Sequence, residues 1–300
     1  MSVFSDFEWS WRGVRVRETG AEIAFTRDLA RDVWRGLYYI GRETLRRRPS
    51  PLPLKVAYAP KPPRPWYLLW GALRQAGVSL NQHSPDTAAL TVYFSDKTKT
   101  TDMAPTGPTL NGHCTDISKS QVARVFAQIF GYDLTLDPSA AEGPYLEKGE
   151  ENGVHDAQIR TAPTEALPGR VYQKLLDNKT ADGTVIDLRC PTVFGDIPLL
   201  FLKERPTDKR FDNLNTRVRL AKPEDYFSAK ELSDIKAFCA AMHLDWGGLD
   251  ILRHAGDGKI YIVDVNKTDM GPPLALPIKE KLSAVKTLGL ALRDALKARL

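Results

Sequence analysis

A chain of 300 residues, 42 % apolar and 26 % charged, has room for two or three cored units and the composition of an ordinary folded protein, which excludes a disordered chain. No apolar run approaches the roughly 20 residues a membrane helix needs, and Met1 to Trp11 lacks the layout of a signal peptide, so a cytoplasmic protein with no transmembrane segment is expected. The net charge is +5, yet residues 1–65 alone hold 13 Lys and Arg against 7 Asp and Glu, so the basic excess belongs to the front of the chain.

Residues 1–53 read as a basic helical extension. Leu29, Val33, Trp34, Leu37, Tyr38 and Ile40 recur at helical spacing between Arg27 and Arg48, where three arginines precede a run of prolines. The apolar stripe is expected to pack on the body of the protein and leave the arginines in solvent. An acidic partner or a membrane surface is the alternative use of such an element, and no nucleic acid is expected.

Residues 54–130 read as an α/β domain. Leu54 to Ala59 is a short buried-type strand, Trp66 to Gln75 a helix ended by Gly77, and Ala89 to Phe94 a second strand. Asp116 or Ser118 then caps a helix reaching about Phe130. Neither GxGxxG after the first strand nor GxxxxGK[ST] anywhere is present, which removes the dinucleotide fingerprint and the Walker-type loop.

After Gly131 the pattern becomes α+β on an antiparallel sheet, with strands at Tyr145 to Lys148, Arg170 to Leu176, Thr184 to Cys190 and Leu199 to Lys203. Glu231 to Met242 is a helix, and Ile278 to Leu300 is a long closing helix. Cys114, Cys190 and Cys239 are far apart and suggest neither a disulfide framework nor a CxxC metal site. Cys190 and Cys239 read as core, and His113 beside Cys114 is set aside as a nucleophile pair because adjacent side chains point apart.

The stretch Asp245 to Asn266 carries most of the chemistry. It reads as a hairpin turning at Gly256-Asp257-Gly258, with a loop from Ala255 to Lys259 that sets Asp250 across from Asp264. Alternation places Ile260, Ile262, Asp264 and Asn266 on one face of the returning strand. Carboxylates at short range repel, so Asp250, Asp264 and Asn266 read either as oxygen ligands of a cation such as Mg²⁺ or as the wet edge of a one-sided sheet. Elsewhere Asp187 and Arg189 share a face opposite Ile186, Leu188 and Cys190, and Lys203 ends an apolar run. The basic loop Arg205, Arg210, Asn213, Asn215 and Arg217 follows, with planar donors suited to phosphate or carboxylate.

The order of these motifs resembles the ATP-grasp superfamily, nearest to carboxylate–amine ligases of the glutamate-ligase kind, across about residues 140–275 and more loosely back to residue 54. The family's closing Asp … Glu-x-Asn is matched by Asp250 and Asp264-Val265-Asn266, and its Asp-Ile-Arg element by Asp187-Leu188-Arg189. The resemblance makes the strand around Gln173, Lys174, Leu175 and Leu176 the adenine frame. It makes Asp177 or Asp182 a ribose partner, and Lys148 the early lysine on the nucleotide phosphates. Two departures stand out. The glycine-rich loop is replaced by Gly149-Glu-Glu-Asn-Gly-Val154, and Asp264 stands where the family usually has glutamate.

What the resemblance implies is a Rossmann-like N-terminal domain and two α+β lobes, central (131–180) and C-terminal (181–300), holding ATP and Mg²⁺, with Mn²⁺ as an alternative ion. It implies a ligase in which a small-molecule carboxylate forms an acylphosphate that an amine or thiol then opens. Lys148 and Lys203 would neutralise phosphates, Asp187 would support the nucleotide, Asp250, Asp264 and Asn266 would hold the metal, and Arg189, Arg210 and Arg217 would meet the acyl-phosphate or the carboxylate. A small-molecule kinase and a catalytically silent nucleotide-binding protein are the alternatives. His155 and His254 read as loop residues, and a homodimer is left open.

Overall fold

The computed structural model describes residues 7–10, 13–16, 22–24, 27–101, 107–154, 156–209 and 217–300. In chain order its elements are β1 (Phe7–Trp9), β2 (Gly13–Val16), β3 (Glu22–Ala24), α1 (Arg27–Leu45), β4 (Val56–Pro60), α2 (Leu68–Ala76), β5 (Leu90–Phe94), β6 (Thr109–Leu110) and α3 (Lys119–Phe130). There follow β7 (Pro144–Gly149), β8 (Gln158–Thr161), β9 (Arg170–Lys174), β10 (Thr184–Val193), β11 (Leu200–Pro206), β12 (Arg217–Ala221), α4 (Ala229–Ala241), β13 (Trp246–Arg253), β14 (Ile260–Asn266) and α5 (Ile278–Arg299). The chain is a mixed α/β protein that divides into two compact units.

The first unit takes in the described residues through Asp96, then β6 and Thr268–Leu300. Strands β4, β5 and β6 form a parallel sheet in that order, with α2 crossing from β4 to β5. Gly77 in the left-handed region (φ 76°) ends α2 where the sequence placed a stop. Helices α2 and α5 pack so closely that a Cβ at Gly289 would lie 2.3 Å from the Cβ of Gln75, so only glycine fits there.

Two expectations for residues 1–53 are corrected. Strands β1, β2 and β3 form an antiparallel meander, so the segment is not wholly helical. Helix α1 is present, but its apolar stripe is not packed: Val33, Trp34, Leu37 and Tyr38 are exposed, and the inward side carries Tyr39 and Glu43. Polar contacts decide that orientation. Gln75 donates to the Glu43 carboxylate, Arg74 donates to the backbone carbonyls of Glu43 and Thr44 at 2.9 and 2.8 Å, and Arg46 donates to the carbonyl of Leu282 at 2.8 Å.

The second unit takes in Asn111–Lys267 and the described residues among 97–104. It holds a three-stranded antiparallel sheet, β8-β7-β9, and a five-stranded antiparallel sheet, β12-β11-β10-β13-β14. One face of the larger sheet, with Leu188, Cys190, Leu202, Leu249, Ile251 and Val265, shares a core with Val122 and Phe126 of α3 and with Ile235 and Phe238 of α4. Serine 228 caps α4 with a capping box to Glu231. The expected boundaries therefore differ from the observed units: α3 shares the core of the second unit, and α5 packs on α2 in the first.

Candidate functional site

The other face of the five-stranded sheet is built by register. Asp187 lies opposite Lys203 across the β10–β11 ladder, Arg189 opposite Asp250 across β10–β13, and Asp250 opposite Asp264 across β13–β14. Directly opposed residues in an antiparallel pair share a face, so three ladders gather these side chains together. Between Asp250 and Ile251 the register shifts, and Ile251 pairs with Ile262. This bulge corrects the simple alternation read for β14: Ile262 joins the core, while Asp264 keeps the polar face.

Each carboxylate meets cations. The Arg189 guanidinium lies 2.8 Å from Asp250, and the Lys203 ammonium 3.7 Å from its other oxygen. Burial pushes the Asp250 carboxyl up, but the charges of Arg189 and Lys203 and the Arg189 hydrogen bond outweigh it and hold the group well below the usual carboxylate range. Asp187 is ion-paired to Arg205 and accepts from the Asn178 amide at 3.1 Å.

Lys119, at the first turn of α3, donates to Asp264 at 2.7 Å and is 8 % exposed. Sequence reasoning gives Lys119 no role; its one trace there is a lysine in a first helical turn, where the dipole favours acids. Lys148, on β7, joins the same group. Burial pushes its ammonium down to about 8, the Lys119 charge adds to that, and the carboxylates of Asp264, Asp250 and Asp156 partly hold it up.

The loop after Lys148 is tied down by protein groups. Glu150 accepts from the backbone N–H of Ser120 at 3.1 Å and from its hydroxyl, so a carboxylate sits at the N-terminus of α3. The backbone N–H of Asn152 donates to the Thr98 hydroxyl at 2.8 Å, and that of Gly149 to Asp156 at 3.0 Å.

On β9, Gln173 is 1 % exposed and its amide nitrogen is buried without a hydrogen-bond partner. Leu176 is in the core, whereas Lys174 and Asp177 are exposed and Leu175 is half-buried. The backbone carbonyl of Asp177 meets the His254 ring at 3.1 Å and accepts from Ala255. Asp182 bonds Thr180 and Thr184 locally. Arg217 begins β12, which the sequence placed in a loop, and its exposed side chain lies 3.9 Å from Glu204, apart from the convergent group. Arg210, Asn213, Asn215 and His155 lie outside the described residues.

Among the described residues no group of three His, Cys, Asp or Glu is placed to hold a metal ion. The oxygens present nevertheless fit one Mg²⁺ of the kind that shares its coordination with phosphates: Oδ1 of Asp250 is buried without a hydrogen-bond partner, and Asp264 and Asn266 lie on the same face.

The chain aligns over much of its length with several solved structures. One is the ATP-grasp ligase PsnB complexed with minimal precursor, 16 % identical over 74 % of this chain and 81 % of that one, with a TM-score of 0.46. Another is the D-cycloserine synthetase DcsG, 13 % identical over 80 % and 98 %, with a TM-score of 0.47. A third is the macrocyclase MdnC bound with precursor peptide MdnA from Microcystis aeruginosa MRC, 11 % identical over 74 % and 82 %, with a TM-score of 0.42. No family model and no curated protein matches the chain.

Proposed function

We propose that this chain is an ATP-grasp protein acting as an ATP- and Mg²⁺-dependent ligase that joins a carboxylate to an amine or a thiol. One observation carries the reading. Cations from α3, β7, β10 and β11 (Lys119, Lys148, Arg189 and Lys203) gather around two facing carboxylates on β13 and β14. A polyphosphate needs that many positive charges at one place, and the paired aspartates keep the set from repelling itself before the nucleotide arrives. In this reading β8-β7-β9 is the central lobe, the five-stranded sheet is the C-terminal lobe, and β4-α2-β5 is the core of a Rossmann-like domain.

The residues divide the work. Lys119, Lys148 and Lys203 neutralise the ATP phosphates. Asp250, Asp264 and Asn266 hold Mg²⁺, which when bound offsets the charge of the transferring phosphoryl group; Mn²⁺ fits the same oxygens. The buried amide of Gln173 offers an unbonded donor to the base, Lys174 to Leu176 frame its edge, and Asp177 receives a ribose hydroxyl. Asp187 acts indirectly by holding Arg205.

Arg189 receives the second substrate; Arg217, exposed at the start of β12 beside Glu204, reaches it only if that strand end and Arg210 turn toward the sheet face. A carboxylate oxygen bonds to the γ-phosphorus as the bond to ADP breaks; the amine then bonds to the acyl carbon, phosphate leaves and the amine gives up a proton. Phosphoryl transfer rests on positioning and charge, so no nucleophilic side chain is required. Glu150 favours a second reading, a catalytically silent nucleotide-binding protein, because it sets a carboxylate at the helix N-terminus beside the proposed phosphate subsite.

Product analysis separates the readings. Incubating the protein with ATP, Mg²⁺ and pooled carboxylates and amines is expected to release ADP and free phosphate in step with a new amide. ADP with a phosphorylated acceptor makes the protein a kinase, and nucleotide binding without turnover supports the silent reading.

A further inference from the structure

Helix α1 presents outward what most amphipathic helices bury. Trp34 and Leu37 are 69 % and 57 % exposed, and Val33 and Tyr38 are exposed beside them. These positions follow one another at i, i+1, i+4 and i+5, so they form one stripe, and the 86 % exposed Leu45 extends it toward the end of the helix. The opposite side is fixed to its own unit through buried Tyr39 and Glu43 and through Arg46, so the stripe cannot turn inward without breaking those bonds.

Charge selects the occupant. Arg31, Arg35 and Arg42 are exposed along one flank of the stripe, and Arg47 and Arg48 are exposed just beyond the helix. Arg42 lies 5.8 Å from the Tyr38 ring centroid and donates to its hydroxyl at 3.1 Å, which extends the apolar surface up to the arginine row. Against these arginines the helix carries the acids Asp28, Asp32 and Glu43, the last of them buried, so residues 27–48 hold seven arginines against three acids. The occupant must therefore receive aliphatic and indole side chains and a row of guanidinium groups at once.

We infer that α1 docks the protein onto an anionic lipid bilayer, its Val33, Trp34, Leu37 and Tyr38 stripe at the boundary of headgroups and acyl chains and its arginines on lipid phosphates. Such helices lie in the interface plane and gain from apolar burial and from anionic lipid together. No described helix is long and apolar enough to cross a membrane, so α1 rests on the bilayer rather than spanning it. A second copy of the chain is a poorer occupant, because antiparallel pairing of two identical stripes sets both arginine rows on the same side.

Sedimentation with sucrose-loaded vesicles tests this. The wild type is expected to pellet with phosphatidylcholine vesicles containing about 30 % phosphatidylglycerol and to stay in solution with phosphatidylcholine alone, with binding reduced by salt. Trp34→Ser with Leu37→Ser, and separately Arg47→Glu with Arg48→Glu, should each weaken pelleting roughly tenfold or more, while circular dichroism stays that of the wild type. Failure to pellet with the anionic vesicles overturns the inference, as does equal pelleting of wild type and variants. A concentration-dependent dimer lost in the same variants, with no vesicle binding, assigns the stripe to a second copy instead.

Discussion

The β13–β14 hairpin and helix α1 each set a carboxylate apart from a set of apolar side chains, and they place the two differently. In the hairpin, Leu249, Ile251, Ile262 and Val265 enter the core, while Asp250 and Asp264 lie on the other face against Arg189, Lys203 and Lys119. In α1 the apolar stripe is outside and the carboxylate of Glu43 is inside, bonded to Gln75 and Arg46. Amphipathicity names two faces; the charged partners available on neighbouring elements decide which face is covered. A buried charge is tolerated where its partners are supplied in place, and both elements obey that condition.

Removing those partners should break the hairpin most. Asp250→Ala strands Arg189 and Lys203 together and is expected to cost about 3 kcal/mol in urea unfolding, whereas a change below about 1 kcal/mol would mean that the pair contributes little. In α1 the equivalent change is Glu43→Ala, which leaves the Gln75 amide without its acceptor and Arg46 with only the Leu282 carbonyl. It is expected to cost about 2 kcal/mol, with the loss appearing as faster hydrogen exchange in residues 33–45.

A subtler comparison uses pH. The Lys148 ammonium has its pKa held at about 8, below the usual lysine value, so it is charged below that pH and neutral above it. Binding of an anionic nucleotide should therefore be strongest below pH 8 and weaken by up to about tenfold per unit as pH rises beyond it. In Lys148→Arg the profile should be flat over the same range, and a flat profile in the wild type would remove Lys148 from the phosphate site. The smallest effect is expected at the stripe: Leu37→Ser should change stability by no more than about 0.5 kcal/mol, because the side chain is already in water.

Much of this arrangement was legible in the sequence. Helices α3 and α5, strands β4, β5, β7 and β9 to β11, and the pairing of Asp250 with Asp264 follow from apolar period and turn chemistry. Strand β8 was missed because its side chains are all exposed and carry no alternation, and β12 because its basic residues resemble a solvated loop. The bulge on β14 was invisible because an inserted residue changes register without changing composition. Lys119 was missed for a different reason: its partner Asp264 lies 145 residues away, and only the packing of α3 against β14 joins them. The outward face of α1 was misread because helical spacing locates a stripe without saying what lies against it.

The central claim is that the cationic face around Asp250 and Asp264 binds a nucleotide together with Mg²⁺. Calorimetric titration of ATP with and without Mg²⁺, on the wild type and on an Asp264→Ala, Asn266→Ala double variant, tests it most directly. Mg²⁺-dependent binding is expected in the wild type and lost in the variant. Absence of binding in both proteins, or equal binding that ignores the metal, would contradict it.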